Sequence, residues 1–280
     1  MLFLQDCETR RLSPSTIRWY RSKLLDFTRW LDGEGIVDLG AVDTPTMRRY
    51  LATLARATVL HQHNCGRTLR RFYHFLLDES LITVAPAIPQ PKLPRIILPA
   101  LTEAQVRAVL EVCDERDRAI VLTILDSGLR ASELCALNVQ NVDLSTGTVF
   151  VQRGKGDKTR ITFIGAQTMR AIREHLTERQ PARPSAPMFP NKTTGTRLTV
   201  GGVVQLMERL REASGVETLT AHTLRRTFAI TALRGGMDIH ILARLMGHAD
   251  IQVLWRYLDI LDADLKEAHA RVRPVERLIT

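Results

Sequence analysis

The sequence predicts a mainly α-helical protein of two domains, with a small β-sheet or hairpin in the second. Three observations carry that prediction. Apolar residues recur at helical spacing through most of the chain, and the stretch from Val142 to Ile164 switches to strand-like alternation. Residues 85–100, APAIPQPKLPRIILPA, hold five prolines, which remove backbone donors and favour extended chain. The apolar content of 45% is enough for real cores, and 280 residues suit two domains of ordinary size. The expected boundaries are 1–90 for a helical domain, 91–100 for a Pro-rich, semi-rigid linker and 101–280 for the second domain.

Residues 1–90 read as helical throughout. Ser13 and Pro14 open a helix to about Gly33, because proline is tolerated in a first turn. Ile17, Tyr20, Leu24, Leu25, Phe27, Trp30 and Leu31 are expected to form its apolar face. Asp43-Thr44-Pro45 opens another to about Ala57, and a third runs from about Thr58 to Ser80. Tyr20, Tyr50 and Tyr73 each sit in an apolar helical pattern and read as core. This segment carries 12 Lys/Arg against 9 Asp/Glu, so any single arginine reads as a solvated helix face. As a group, Arg18, Arg21, Arg67, Arg70 and Arg71 are candidates for DNA phosphate contacts.

The second domain opens with a Thr102-capped helix to Cys113, then a helix from about Glu115 to Asp126 that stops at Ser127-Gly128. GLRASEL follows, residues 128–134. Arg130, just past a helix-ending glycine, can point into a cleft, and Glu133 three residues on can orient it. Gly147–Gln152 and Thr159–Ile164 alternate as strands around a basic, glycine-flanked tip that carries Lys155. A lysine there can protonate a departing oxygen or simply sit in a solvated turn. The tip is no phosphate-cradling P-loop, because GxxxxGK[ST] is absent. Helices are expected at about 166–179 and 199–213, separated by a Pro-rich loop.

Thr220 caps a helix over 221–234 that carries His222 and Arg225 on one face of its first turn. Asp238 caps another through Met246, with Gly247 as a left-handed stop before His248. Asp250 caps a third, with Tyr257 near its end. Two imidazoles, a guanidinium and a phenol without an acidic cluster suit an anionic substrate. Arginine offers planar donors to phosphate oxygens, histidine exchanges protons near neutrality, and a phenol attacks only a phosphate already neutralised by neighbours. The set points to tyrosine attack on a phosphodiester without metal. Singly, each residue is an ordinary helix stop or core residue; the combination is what carries the chemistry.

The net charge of +9 (39 basic against 30 acidic) suits a polyanionic partner. Cys7, Cys65, Cys113 and Cys135 show no CxxC pair or metal-ligand spacing and read as reduced thiols. The opening MLFLQDCETR lacks a long apolar segment and nothing approaches a membrane span, so a soluble cytoplasmic protein is expected.

GLRASEL, GKGDKTR on a hairpin, HTLRRTFA, LMGHAD and a tyrosine nine residues after His248 occur in the order that marks tyrosine recombinases. Over roughly Leu101 to Asp259 the chain resembles that phage-integrase and Xer-like family, and residues 1–90 resemble its helical core-binding (SAM-like) domain. The resemblance implies two domains clamping double-stranded DNA at inverted-repeat core sites, as a homo- or hetero-tetramer, with no cofactor. Arg130 and Arg225 would bind the scissile phosphate, Lys155 would protonate the 5′-oxygen, and His222 would assist proton transfer. His248 would donate to the phosphate, Tyr257 would form a 3′-phosphotyrosine link, and Glu133 would support the first arginine. Such an enzyme integrates, excises or resolves DNA, in some cases with accessory directionality proteins. The tail from Asp262 to Thr280 resembles a segment that docks on a neighbouring protomer, or it packs on its own domain. Gln252–Arg256 is bulkier and more apolar than the family's common form, which bears on how Tyr257 is positioned before assembly. The short stretch before the first helix leads us to expect a simple two-domain enzyme without a further arm-site DNA-binding domain. Two other readings stay open at this stage: a type IB topoisomerase-like enzyme, and a non-catalytic DNA-binding regulator.

Overall fold

The computed structural model describes residues 2–93, 100–152, 159–180 and 183–247. The chain forms two compact units, Met1–Ile96 and Ile97–Thr280. The first contains α1 (Leu2–Thr9), α2 (Pro14–Gly33), α3 (Thr44–Thr53) and α4 (Val59–Asp78). Ser13, Asp43 and Thr58 each accept a hydrogen bond from a first-turn backbone N–H, which fixes where these helices begin.

Aromatic rings fill the centre of this unit. Phe27 meets Tyr50 edge-on at 4.8 Å between centroids, and Phe3 meets Phe72 at 5.4 Å. Such pairs add about 0.5–1.5 kcal/mol each beyond burial. Burial raises the Tyr50 and Tyr73 phenols well above the ordinary tyrosine range, so both are neutral core residues.

Two expectations need correction here. The Asp43-capped helix was expected to reach about Ala57 but ends at Thr53, and Leu54–Arg56 tighten into a 3₁₀ turn. The Thr53 hydroxyl donates back to the Tyr50 carbonyl at 2.6 Å, and Gln62 Nε2 takes the Leu54 carbonyl at 2.8 Å. The first domain is also not helical throughout to residue 90: α4 ends at Asp78, and the proline-rich residues within 85–90 pack on the domain without helix. Ile88 is buried in the aromatic core, the Ala87 N–H donates to Thr44 Oγ1, and Arg70 donates to the Ile88 carbonyl at 2.8 Å. Proline removes donors but leaves carbonyls, and a side chain from α4 takes them.

The second unit contains α5 (Glu103–Glu111), α6 (Glu115–Ser127), α7 (Ala131–Ala136) and three short strands, β1 (Val142–Asp143), β2 (Thr148–Val151) and β3 (Arg160–Phe163). Then come α8 (Ala166–Arg179), α9 (Val200–Ser214), α10 (Ala221–Arg234) and α11 (Ile239–Met246). Helix α6 is the central rod, with Ala119, Ile120, Val121 and Ile124 fully buried and α8 and α10 packed on it. The expected hairpin is a three-stranded antiparallel sheet in the order β1-β2-β3. Gly147 turns the chain between β1 and β2 at φ +73, where an added Cβ would lie 2.3 Å from the Ile164 carbonyl oxygen. Only glycine fits that approach.

Alternation sorts the sheet's faces. Val149 and Val151 on β2 are buried, and their antiparallel partners on β3 are Thr162 and Arg160. Phe150, Ile161 and Phe163 lie on the opposite, exposed face. An arginine therefore occupies the inward phase of β3. Helices α10 and α11 close the unit through Ala229, Ile230, Leu242, Ala243 and Met246.

Candidate active site

The site begins where α6 ends. Gly128 adopts the left-handed conformation (φ +63) that terminates the helix, and a Cβ there would fall 2.4 Å from the Phe228 ring. Glycine thus lets α10 come close against the α6 terminus. Arg225, one turn into α10, donates to the Gly128 carbonyl and, at 2.8 Å, to the Met246 carbonyl. Two residues after Gly128 the chain re-enters a helix at α7, and Arg130 sits at its N-terminal boundary. Glu133 in the first turn of α7 reaches back to accept from the Arg130 backbone N–H at 2.8 Å.

Glu133 is the hub. It is 8% exposed and accepts two parallel bonds from Arg160, at 2.7 and 2.8 Å. It accepts one from the Arg130 guanidinium at 2.9 Å, and Arg225 Nη1 stands 3.7 Å from its Oε2. Burial on its own would raise its carboxyl. The Arg160 hydrogen bonds, the Arg130 backbone N–H and the charges of both arginines outweigh that and lower it to about 2. The carboxylate is therefore ionised at any working pH.

The same three arginines converge on the C-terminus of α11. Arg160 Nε donates to the Leu245 carbonyl at 2.8 Å, and Arg130 donates to Met246 and Gly247 carbonyls at 3.4 and 3.1 Å. The last carbonyls of a helix have no partner within it and carry the negative end of its dipole, so guanidinium groups suit them on both counts. Gly247 closes α11 in the left-handed conformation at φ +63. Helices α7, α10 and α11 and strand β3 are in this way locked together by one carboxylate and three guanidinium groups.

Arg130, Glu133 and Arg225 are thus brought together by the fold. His222, at the second residue of α10, lies on the exposed side of the helix's first turn. Although the residue is exposed overall, atoms packed around the ring remove part of its water, and this together with the Arg226 and Arg225 charges lowers its pKa from 6.5. The ring is neutral near pH 7 and able to accept a proton. Lys155, His248 and Tyr257 lie outside the described residues. Arg160 is the residue that sequence reasoning missed. Its signal was present: in an alternating strand it shares the phase of Thr162 and Ile164, and a charge on a strand's inward face demands a buried partner.

In the first unit, Arg67, Arg70 and Arg71 line one groove of about 830 Å³ between α1, α2 and α4, beside Trp19 and Asn64. Arg18 and Arg21 are exposed on α2 but do not line it. Arg70 is already engaged by the Ile88 carbonyl and Gln90. Among the described residues, no group of three or more His, Cys, Asp or Glu could hold a metal ion, and no helix is long and apolar enough to cross a membrane. Cys7, Cys65, Cys113 and Cys135 are all unpaired thiols.

Comparison with known proteins matches residues 99–264 to the phage integrase family model and residues 2–80 to the phage integrase N-terminal SAM-like domain. The tyrosine recombinase XerC of Pelobacter propionicus is 34% identical, over 96% of this chain and 92% of its own length. The tyrosine recombinase XerA of Thermococcus kodakarensis is 30% identical over 95% of this chain and 92% of its own. Among solved structures, the XerA recombinase crystal structure matches with a TM-score of 0.58 at 27% identity, covering 97% of this chain and 96% of that one. A post-cleavage complex of XerH site-specific recombinase with palindromic difH substrate shares the fold, with a TM-score of 0.74 at 19% identity over 93% of this chain and 81% of that one.

Proposed function

This chain belongs to the phage integrase family of tyrosine recombinases, and on that premise we propose that it is a site-specific DNA recombinase working through a covalent tyrosine link. The observation that carries the reading is the convergence of Arg130 and Arg225 on Glu133 and on the end of α11, immediately before His248. Two preorganised guanidinium groups stabilise the charge that grows on the non-bridging oxygens as the phosphate becomes pentacoordinate. Glu133 holds the first of them in place.

Tyr257 attacks the scissile phosphorus and forms a 3′-phosphotyrosine bond, while the 5′-oxygen leaves with a proton from Lys155. His222, neutral near pH 7, takes part in proton transfer at the nucleophile, and His248 donates a hydrogen bond to the phosphate. One phosphodiester is exchanged for another of similar energy, so the step needs neither ATP nor metal. A 5′-hydroxyl from a second duplex reverses the attack and exchanges strands. Residues 1–90 serve as the core-binding domain and 101–280 as the catalytic domain, joined by 91–100. Arg18, Arg21, Arg67, Arg70 and Arg71 are the phosphate-contact candidates of the former. The working assembly is four protomers on two double-stranded DNA sites with inverted-repeat cores, in the cytoplasm. Similarity to Xer recombinases along nearly the whole chain favours this reading over topoisomerase-like relaxation.

Covalent trapping on nicked suicide DNA, drawn from a fragment library of the gene's own flanks, tests the proposal. A detergent-stable adduct that forms in EDTA and is lost in Tyr257→Phe supports it. An adduct that persists in Tyr257→Phe moves the nucleophile elsewhere and overturns it.

A further inference from the structure

From the geometry around Glu133 we infer that Arg160 is a positioning residue: it saturates the Glu133 carboxylate, so that Arg130 and Arg225 are held in place without being captured by it. The inference rests on the recombinase reading for what the two arginines do. An ionised carboxylate has about four acceptor positions. Here all four are taken: two by the Arg160 fork, one by the Arg130 backbone N–H and one by the Arg130 guanidinium. Arg130 therefore makes a single side-chain bond to Glu133 where a fork would otherwise form, and Arg225 is held off at 3.7 Å. A bidentate pair is the strongest arrangement a carboxylate and a guanidinium can adopt. The fold gives it to Arg160, whose side chain is 9% exposed, and leaves the 37%-exposed Arg130 with donors for a phosphate.

Arg160 is anchored to do this. It lies on the inward face of β3 opposite Val151, and its Nε is fixed by the Leu245 carbonyl at 2.8 Å. Without it, two acceptor positions open beside Arg130 and Arg225. The buried carboxylate then draws one or both into a fork and withdraws donors from the scissile phosphate. Charge alone is not enough for the task, because lysine has no planar fork to match both oxygens.

The test compares the parent, Arg160→Met, Glu133→Gln and the double variant, in single-turnover cleavage of the DNA that traps the parent. Equilibrium DNA binding and Tm are measured alongside. Arg160→Met is expected to cleave at least about tenfold more slowly, with DNA affinity within about threefold. Glu133→Gln is expected to lose only a few-fold. The double variant, with no charged captor, should cleave faster than Arg160→Met. A brace whose two partners are simply needed together predicts the reverse ranking: Glu133→Gln as slow as Arg160→Met, and no recovery in the double variant. That outcome overturns the inference. Arg160→Lys gives the same ranking should Arg160→Met not fold. If the parent forms no adduct, the recombinase reading fails separately. The inference is then decided by titrating inorganic phosphate against the four proteins and following the Arg130 Nε resonance. Weakened binding in Arg160→Met that returns in the double variant supports it, and equal binding in all four overturns it.

Discussion

Two buried carboxylates in the second unit, Glu133 and Asp117, each gather three cationic side chains, and comparing them sets the proposed site beside a brace. Asp117 is fully buried at the start of α6. Its Oδ1 accepts two bonds from Arg116 at 3.0 and 2.7 Å, and its Oδ2 accepts from Lys192 at 3.2 Å and from Arg209 of α9. Arg116 also holds the Pro190 carbonyl at 2.8 Å, so the cluster ties α6, the 190s loop and α9 together. Its other two cations are about half exposed. At Glu133 the cations come from α7, β3 and α10, and each of the three also donates to a carbonyl at the end of α11. Each carboxylate faces three cations, although Lys192 is shared with a second carboxylate, Asp114. In both places spare donors meet backbone carbonyls, and what differs is where those carbonyls lie: at Glu133 they end α11, immediately before His248 in the sequence.

The sharpest way to break this contrast is Arg225→Ala. Removing a transition-state donor costs about 10²–10³ in rate, and single-turnover cleavage should fall by that much. The Gly128 and Met246 carbonyls also lose a donor, so Tm should fall as well. Undiminished cleavage by a folded Arg225→Ala protein would remove the catalytic half of the contrast. Asp117→Asn should do the opposite. Breaking a buried ion pair costs about 3–5 kcal/mol, which lowers Tm by roughly 6–20 °C for a domain of this size. Cleavage per folded molecule should stay at the parent's level.

Acid sharpens the comparison further. The Glu133 carboxyl is held at about 2, against 4.5 for a free glutamate, so folding favours its charged form. The resulting stability, on the order of 3 kcal/mol, is fully present above pH 4.5 and is lost as the pH falls toward 2. Glu133→Gln should therefore flatten the acid side of the Tm-against-pH curve between pH 4.5 and 2. An unchanged curve would mean that the arginines do not hold this carboxylate as described. The smallest effects are expected in the first unit. Arg67→Ala should reduce the salt slope of DNA binding by about one phosphate contact and leave Tm unchanged. Arg70→Ala should lower stability by about 1 kcal/mol, because its hydrogen bond to the Ile88 carbonyl is lost.

Where local chemistry sets the structure, the sequence was easy to read. Ser13-Pro14, Thr102, Thr220 and Asp238 cap their helices, and Gly128 and Gly247 end theirs, because capping depends only on residues within one turn. Glu133 was legible as the support of Arg130 because the two are three residues apart on one helical turn. Arg160 was not, since its partners lie 27 and 85 residues away and only the sheet's register turns it inward. Ile88 was hidden for the same reason: proline composition says nothing of an arginine on α4 waiting for its carbonyl. The opening helix Leu2–Thr9 carries no capping signal and is held by Phe3 and Cys7 packing inward. Burial decided it, not local propensity.

Similar clusters of charge are expected to do different work at Glu133 and Asp117, and Arg130→Ala measured beside Asp117→Asn decides the matter. Arg130 is the more exposed of the two guanidinium groups assigned to the phosphate, so its loss disturbs the fold less than that of Arg225. Single-turnover cleavage and Tm would be measured on both proteins with the same trapping DNA. Cleavage is expected to fall by about 10²–10³ with little change in Tm for Arg130→Ala, and the reverse is expected for Asp117→Asn. Cleavage that tracks Tm equally in both variants would contradict it, because Glu133 and Asp117 would then be two braces of one kind.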